Sequence, residues 1–322
     1  VNTPALKNWI PYKLVSDADS ITCNWLDTHS ISYIEPFFKG SLAKINSARA
    51  NFRIRSASDL QMINTWGADL PPVEPKAIIF HISRCGSTLV SQLLATLPRH
   101  IVLSEVPVFD QILRLQLNHA GFDQQATGKL FTSALKFYGQ NKTNAPHSDV
   151  FIKADCWHLF FYEQLRRLYP KTPFVIVYRS PDAVFRSHRK MPGLHTIPYL
   201  IEPALFGFEA GSGVFETLEI YLAAVIESYL KKSLDIVSAD NNTLLLNYSE
   251  GPMPIINQIA AFAGISLSAQ ELDNMKERSR YHSKKPQERF SEDPVDSIPA
   301  VLCSAMDMYK TLDKKRLASI GV

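Results

Sequence analysis

The sequence predicts an α/β protein of three layers, a central parallel sheet flanked by helices, preceded by an N-terminal appendage of different character. Three observations carry this. From Ala77 onward, short apolar runs alternate with amphipathic stretches, the rhythm a parallel sheet needs because each crossover takes a helix. Before Ala77 that rhythm is missing. The chain has 322 residues and 46% hydrophobic content, enough for a full core plus an added element.

Residues 1–70 spread Trp9, Trp25, Phe37, Phe38 and Trp66 among short polar stretches. These aromatics are expected to pack an appendage, residues 1–74, against a core domain of residues 75–322. Pro71-Pro72-Val73-Glu74-Pro75 punctuates the boundary. Core strands are predicted at Ala77–His81, Ile101–Ser104, Val150–Lys153, Pro173–Tyr178 and Thr243–Tyr248. Helices are predicted at Ser87–Leu97, Asp123–Tyr138, Trp157–Leu168, Pro181–Arg189, Val214–Val237, Pro254–Ala263, Ser268–Arg278 and Ala300–Leu317. Pro107–Arg114 and Met191–Gly213 read as variable loops, and the proline-rich, charged Lys284–Pro299 as a loop over the site. No internal repeat is visible.

The first core strand runs into a turn holding Arg84, Cys85, Gly86, Ser87 and Thr88, and a helix follows with Leu89, Leu93, Leu94 and Leu97 at helical spacing. Free amides, two hydroxyls and a cation gather at the helix's positive end, which suits a phosphate or sulfate group. Gly86 lets the backbone approach such a ligand closely. This is a phosphate-binding loop, so the predicted fold is of the P-loop type. It lacks the lysine and the first glycine of the Walker form G-x-x-x-x-G-K-S/T, which weakens the case for a nucleoside triphosphate enzyme. A second motif begins where the strand Pro173–Tyr178 ends. Arg179 leaves the carboxyl end of a buried strand, Pro181 suits a first helical turn, and Ser187 follows Arg179 by about two turns. A guanidinium and a hydroxyl so placed can meet on one phosphate.

Together the two motifs resemble the P-loop sulfotransferase superfamily, which uses 3′-phosphoadenosine 5′-phosphosulfate (PAPS) and releases 3′-phosphoadenosine 5′-phosphate (PAP). The resemblance, spanning roughly Ala77 to Ile265, is closest in spacing to the tyrosylprotein sulfotransferase branch and to bacterial sulfotransferase-like proteins. That branch's R-S-G-T-T loop is similar to Arg84-Cys85-Gly86-Ser87-Thr88. Its catalytic glutamate follows the loop arginine by twenty-one positions, which is Glu105 here. Its catalytic lysine precedes the second arginine by twenty-six, which is Lys153. Leu246-Asn247-Tyr248-Ser249-Glu250 and Phe262-Ala263-Gly264-Ile265 look like the family's Y-E…F-L-G-I stretch.

The resemblance implies that Arg84 through Thr88 bind the 5′-phosphosulfate and that Arg179 and Ser187 bind the 3′-phosphate. It also implies Tyr248 near the adenine, with Lys284 and Lys285 as late phosphate contacts. Glu105, Lys153 and Arg84 would be catalytic, with no metal required. The acidic residue often found after the second arginine is Ser180 here. The branch's arginine two positions after its glutamate, thought to meet the substrate, is Pro107 here, a departure that bears on protein tyrosine as acceptor, which stays open. The acceptor is an unidentified hydroxyl compound or amine.

Other readings stay open: a P-loop nucleotide kinase, or a non-catalytic nucleotide-binding module. Plainer roles exist for single residues too. Glu105 can cap the next helix, Lys153 can end a strand in water, His81 can be a satisfied core histidine, and Cys85 can be filler beside Gly86. His188 and His282 are further candidates.

A net charge of +3 argues against a nucleic-acid partner, although basic residues cluster at Arg179–Lys190 and Arg278–Arg289. Cys23, Cys85, Cys156 and Cys303 lack metal-type spacing and predict reduced thiols. No apolar run is long enough to span a membrane and no signal-peptide pattern is present, so a cytoplasmic, bacterial-type protein is expected. The opening valine suggests a trimmed start, leaving a removed leader open.

Overall fold

The computed structural model describes residue 6 and residues 8–17, 20–28, 31–47, 56–140, 149–281 and 298–319. In chain order the elements are β1 (Trp9–Ser16), β2 (Ile21–Asp27), α1 (Phe38–Ser47), β3 (Ser56–Asp59), α2 (Met62–Gly67), β4 (Ala77–His81) and α3 (Ser87–Leu94). Next come β5 (His100–Ser104), α4 (Pro107–Asn118), α5 (Gln124–Tyr138), β6 (Asp149–Lys153), α6 (Tyr162–Leu168), β7 (Phe174–Tyr178) and α7 (Pro181–Lys190). The chain then forms α8 (Leu218–Ala239), β8 (Thr243–Asn247), α9 (Pro252–Phe262), α10 (Ala269–Ser279) and α11 (Cys303–Ser319).

The α/β class is as expected: β5-β6-β4-β7-β8 form a five-stranded parallel sheet, flanked by helices. All five residues of β4, of β5 and of β7 are buried, as strands covered on both faces must be. The chain moves outward from β4 to β5, returns to β6, then crosses to β7. The loop after β4 therefore stands where the strand order reverses, at a carboxyl strand end, the usual ligand position in open α/β sheets.

The chain forms two compact units. One comprises Val1–Ile78, Ser91–Asp155 and Phe161–Thr172; the other comprises Ile79–Val90, Cys156–Phe160 and Pro173–Val322. In the first, β1, β2 and β3 make an antiparallel sheet that periodicity did not reveal. In this unit Trp25 lies 5.0 Å from both Trp66 and Phe137, and Phe38 lies 5.2 Å from Tyr138. Gln111 of α4 bonds both backbone groups of Leu14, at 2.8 and 3.0 Å, which fixes β1 in place.

Pro107–Arg114 is a correction, since it lies within α4 rather than in a loop. Pro107 is tolerated at the first turn, and Val108, Phe109, Ile112, Leu113 and Leu115 form the buried stripe. Helix α3 ends three residues early because the His100 ring bonds the Leu94 carbonyl at 2.9 Å and the Thr96 hydroxyl bonds that of Leu93. Helix α8 begins only at Leu218, where the Thr217 side chain caps the Ile220 amide. The first half of the Trp157–Leu168 helix is a 3₁₀ stretch, Cys156–Phe161. Strand β8 stops at Asn247, whose side chain turns the chain by accepting from the Ser249 amide.

Candidate functional site

In the second unit, the loop after β4 is built on unusual backbone. Ser83, Arg84 and Gly86 have φ of 65°, 47° and 77°. For the two non-glycine residues this conformation costs on the order of 1–3 kcal/mol each, so the surroundings must hold it. They do. The Ser83 amide donates to His81 Nδ1 at 3.1 Å, the Ile82 amide to the Val177 carbonyl at 3.2 Å, and the buried Cys85 thiol to the same carbonyl at 3.2 Å. His81 and Cys85 thus serve the loop's shape. The resulting curl ends at α3, whose first amides lack an intrahelical carbonyl. Ser87 and Thr88, both buried, open that helix. Curled backbone of this kind, with a helix start behind it, makes an anion cradle.

The second motif lies directly against this loop. The Arg179 guanidinium is 3.5 Å from the Arg84 carbonyl and 5.9 Å from the centre of the Tyr248 ring. The Tyr248 ring rests on Gly86 so closely that a Cβ there would overlap it. Burial raises the Tyr248 phenol pKa, against the opposing charge of Arg179 and with a smaller upward push from Cys85. Arg84 Nη2 donates to the Met191 carbonyl at 2.6 Å, and the Met191 amide donates to the Ser187 carbonyl at 3.2 Å. Arg84, Gly86, Arg179 and Tyr248 therefore lie in one cluster, to which Ser187 is linked by its backbone through Met191. Of the basic residues nearby, Arg186 pairs with Asp182 and Arg189 with Glu219. Lys284, Lys285 and His282 lie outside the described residues.

Sequence reasoning missed what stands behind Arg179. The side chain just before it, Tyr178, donates to Asp313 of α11 at 2.6 Å, and Asn247 and Arg316 donate to the same carboxylate oxygen at 2.9 and 2.8 Å. Arg316 also pairs with Glu250. Helix α11 is thus bonded to the residues flanking Arg179 and Tyr248. Nothing local in the sequence announces this, because the partners are 66 to 135 residues apart.

Burial alone would raise the Asp313 pKa, but the hydrogen bonds from Arg316, Tyr178 and Asn247 and the Arg316 charge outweigh it and hold it below the usual carboxylate value. The unfolded chain, with an aspartate pKa of about 3.9, then takes up its proton first, so stability rises with pH across that interval. The contribution is complete above about pH 4 and is lost as pH falls through the folded value. Thermal midpoints between pH 5 and pH 2 should fall less steeply for Asp313→Asn than for the wild type, and parallel curves would refute the network's role.

In the first unit, β5 and β6 pair with Ser104 opposite Lys153, and the Glu105 amide donates to the Lys153 carbonyl at 2.8 Å. The two side chains form an ion pair. The Lys153 side chain is fully buried, whereas that of Glu105 keeps 23% exposure. Glu105 has φ of 52°, another left-handed, strained residue. The plain alternative of a strand-end lysine in water does not describe Lys153, whose side chain is buried. A buried ammonium held by a half-buried carboxylate at two strand ends provides a hydrogen-bond donor and a proton acceptor side by side.

A solved bacterial sulfotransferase shares the fold. Sulfotransferase STF9 from Mycobacterium avium aligns with a TM-score of 0.50 and 15% identity over 81% of this chain and 80% of that one. The sulfotransferase domain of the curacin biosynthetic pathway aligns at 0.49 and 13%, over 76% and 99%. That of the Synechococcus PCC 7002 olefin synthase aligns at 0.46 and 14%, over 76% and 96%. At such identity the first likeness speaks for the fold alone, and the other two add no argument. No protein-family model and no curated protein matches the sequence. No described helix is long and apolar enough to cross a membrane.

Proposed function

We propose that the chain is a sulfotransferase that moves the sulfuryl group of PAPS to an acceptor hydroxyl. The observation that carries this reading is the contact of the two anion motifs: Arg179 and Tyr248 stand against the strained loop at Arg84–Gly86. A Walker loop needs its lysine for the β- and γ-phosphates, and here two guanidinium groups accompany the curled amides instead. This donor set fits a nucleotide that is anionic at both its 5′ and its 3′ positions.

PAPS, when bound, supplies an activated sulfuryl group. The loop amides, the Ser87 and Thr88 hydroxyls and Arg84 bind its 5′ end, while Arg179 and Ser187 bind the 3′-phosphate beside Tyr248. Lys153 holds an N–H donor for the oxygen on which negative charge grows as the sulfur–oxygen bond breaks. Glu105 takes the proton of the acceptor hydroxyl as the new sulfur–oxygen bond forms. The roles of Glu105 and Lys153 rest on their motif spacing and their pairing. Like phosphoryl transfer, the reaction asks the protein chiefly for positioning and charge stabilisation. The tyrosylprotein-like spacing belongs to this reading as well.

PAP at a hundred times its Kd should stabilise the protein by about 2.7 kcal/mol, a shift of a few degrees in melting temperature. ATP with Mg²⁺ at equal concentration should give a smaller shift. Labelled sulfate should pass from PAPS to members of a hydroxyl acceptor panel. A larger shift with ATP–Mg²⁺, and none with PAP, would favour the kinase reading.

A further inference from the structure

We infer that Phe37, from the N-terminal segment, is the positioning residue for Lys153. Its ring lies over the Lys153 ammonium, 5.7 Å from Nζ to the ring centre. The segment is well anchored for the purpose. Phe38 is buried in the aromatic cluster, 4.8 Å from Tyr33 and 5.2 Å from Tyr138, and the Ile34 carbonyl accepts from Gln92 Nε2 at 3.0 Å. The Phe37 carbonyl accepts from the Gly40 amide at 2.9 Å as α1 begins. With its neighbour fixed in the core, Phe37 is held half-buried.

The physical role follows from charge and shape. An aromatic face attracts an ammonium through the ring quadrupole, and the attraction grows where water is excluded. The ring also occupies one side of the ammonium, while Glu105 engages it by hydrogen bonding. Lys153 is thereby kept desolvated and directed. This deepens the sulfotransferase reading and rests on it for its catalytic consequence: the N-terminal segment would be part of the catalytic apparatus, although Phe37 itself touches no reacting atom.

Two readouts test it on the full chain with Phe37→Ala, Phe37→Leu, Phe37→Tyr and Phe37→Trp. The first is acetic anhydride labelling of Lys153, read by mass spectrometry. The second is kcat and KM for PAPS with an accepted acceptor. Phe37→Ala should raise Lys153 labelling severalfold and lower kcat about tenfold, the size of a desolvated cation–π contact, with KM for PAPS within about twofold. Tyrosine and tryptophan should restore both readouts, whereas leucine, apolar but without a ring face, should restore neither. Unchanged labelling, unchanged kcat, or a leucine variant equal to the wild type would overturn the proposal. Should Phe37→Ala fail to fold, the comparison of leucine with tyrosine decides. If labelling follows the ring series while the wild type transfers no sulfate to any acceptor, the shielding of Lys153 stands and the sulfotransferase reading falls.

Discussion

Glu105→Gln is expected to lower kcat for sulfuryl transfer by roughly 10²–10⁴-fold while PAP still binds, because the amide cannot accept the acceptor's proton. The same pair makes a prediction independent of any reaction. Lys153 has a fully buried side chain, so Glu105→Ala leaves a buried ammonium without its carboxylate, at a cost of about 3–5 kcal/mol. Lys153→Met removes that charge and leaves a carboxylate with 23% exposure, which water can solvate. The methionine variant should therefore be clearly the more stable of the two in urea denaturation. Equal losses would mean that the ammonium finds comparable stabilisation elsewhere. Unchanged turnover in Glu105→Gln would remove this carboxylate from the mechanism.

Gly86→Ala is the second large effect expected. At φ of 77° an alanine costs on the order of 1–2 kcal/mol, and its Cβ would overlap the Tyr248 ring, which has to move. Movement of that ring disturbs Arg179, which lies over it, so PAP affinity should fall at least tenfold beyond the loss of stability. Tyr248→Ala alone opens the space above Gly86. The double variant should recover the steric part of the Gly86→Ala defect but not the conformational part. This gives a coupling of about 0.5–3 kcal/mol in a double-mutant cycle. Strict additivity would show that the ring and the loop do not interact, and wild-type PAP affinity in Gly86→Ala would argue against the loop as the cradle.

The core strands and the loop after β4 were readable from local pattern because each is a short-range property. Ala77–His81 and Phe174–Tyr178 are unbroken apolar runs ended by polar residues, and such runs are buried on both faces wherever they go. Gly86 was equally legible, since a glycine between a strand and a helix marks a backbone that must turn sharply. Helix α4 carries its signal in Val108, Phe109, Ile112, Leu113 and Leu115, with Pro107 in its first turn, although Pro107–Arg114 was expected to be a loop. The 3₁₀ stretch Cys156–Phe161 has no comparable periodic mark, and apolar residues on every side fit several backbones.

What no local pattern could state is which distant groups meet. Strand β3 is four residues long and joins β2 from across a helix, so its identity comes from the partner's open edge rather than from its own sequence. The same holds for Phe37 over Lys153, for Asp313 beneath Tyr178, and for the Tyr248 ring on Gly86. Hydrophobic periodicity encodes the direction in which a side chain is buried, because that depends on the chain's own geometry. The choice of neighbour depends on packing and on satisfying buried charge across the whole fold, and those terms exist only once the distant segments have come together.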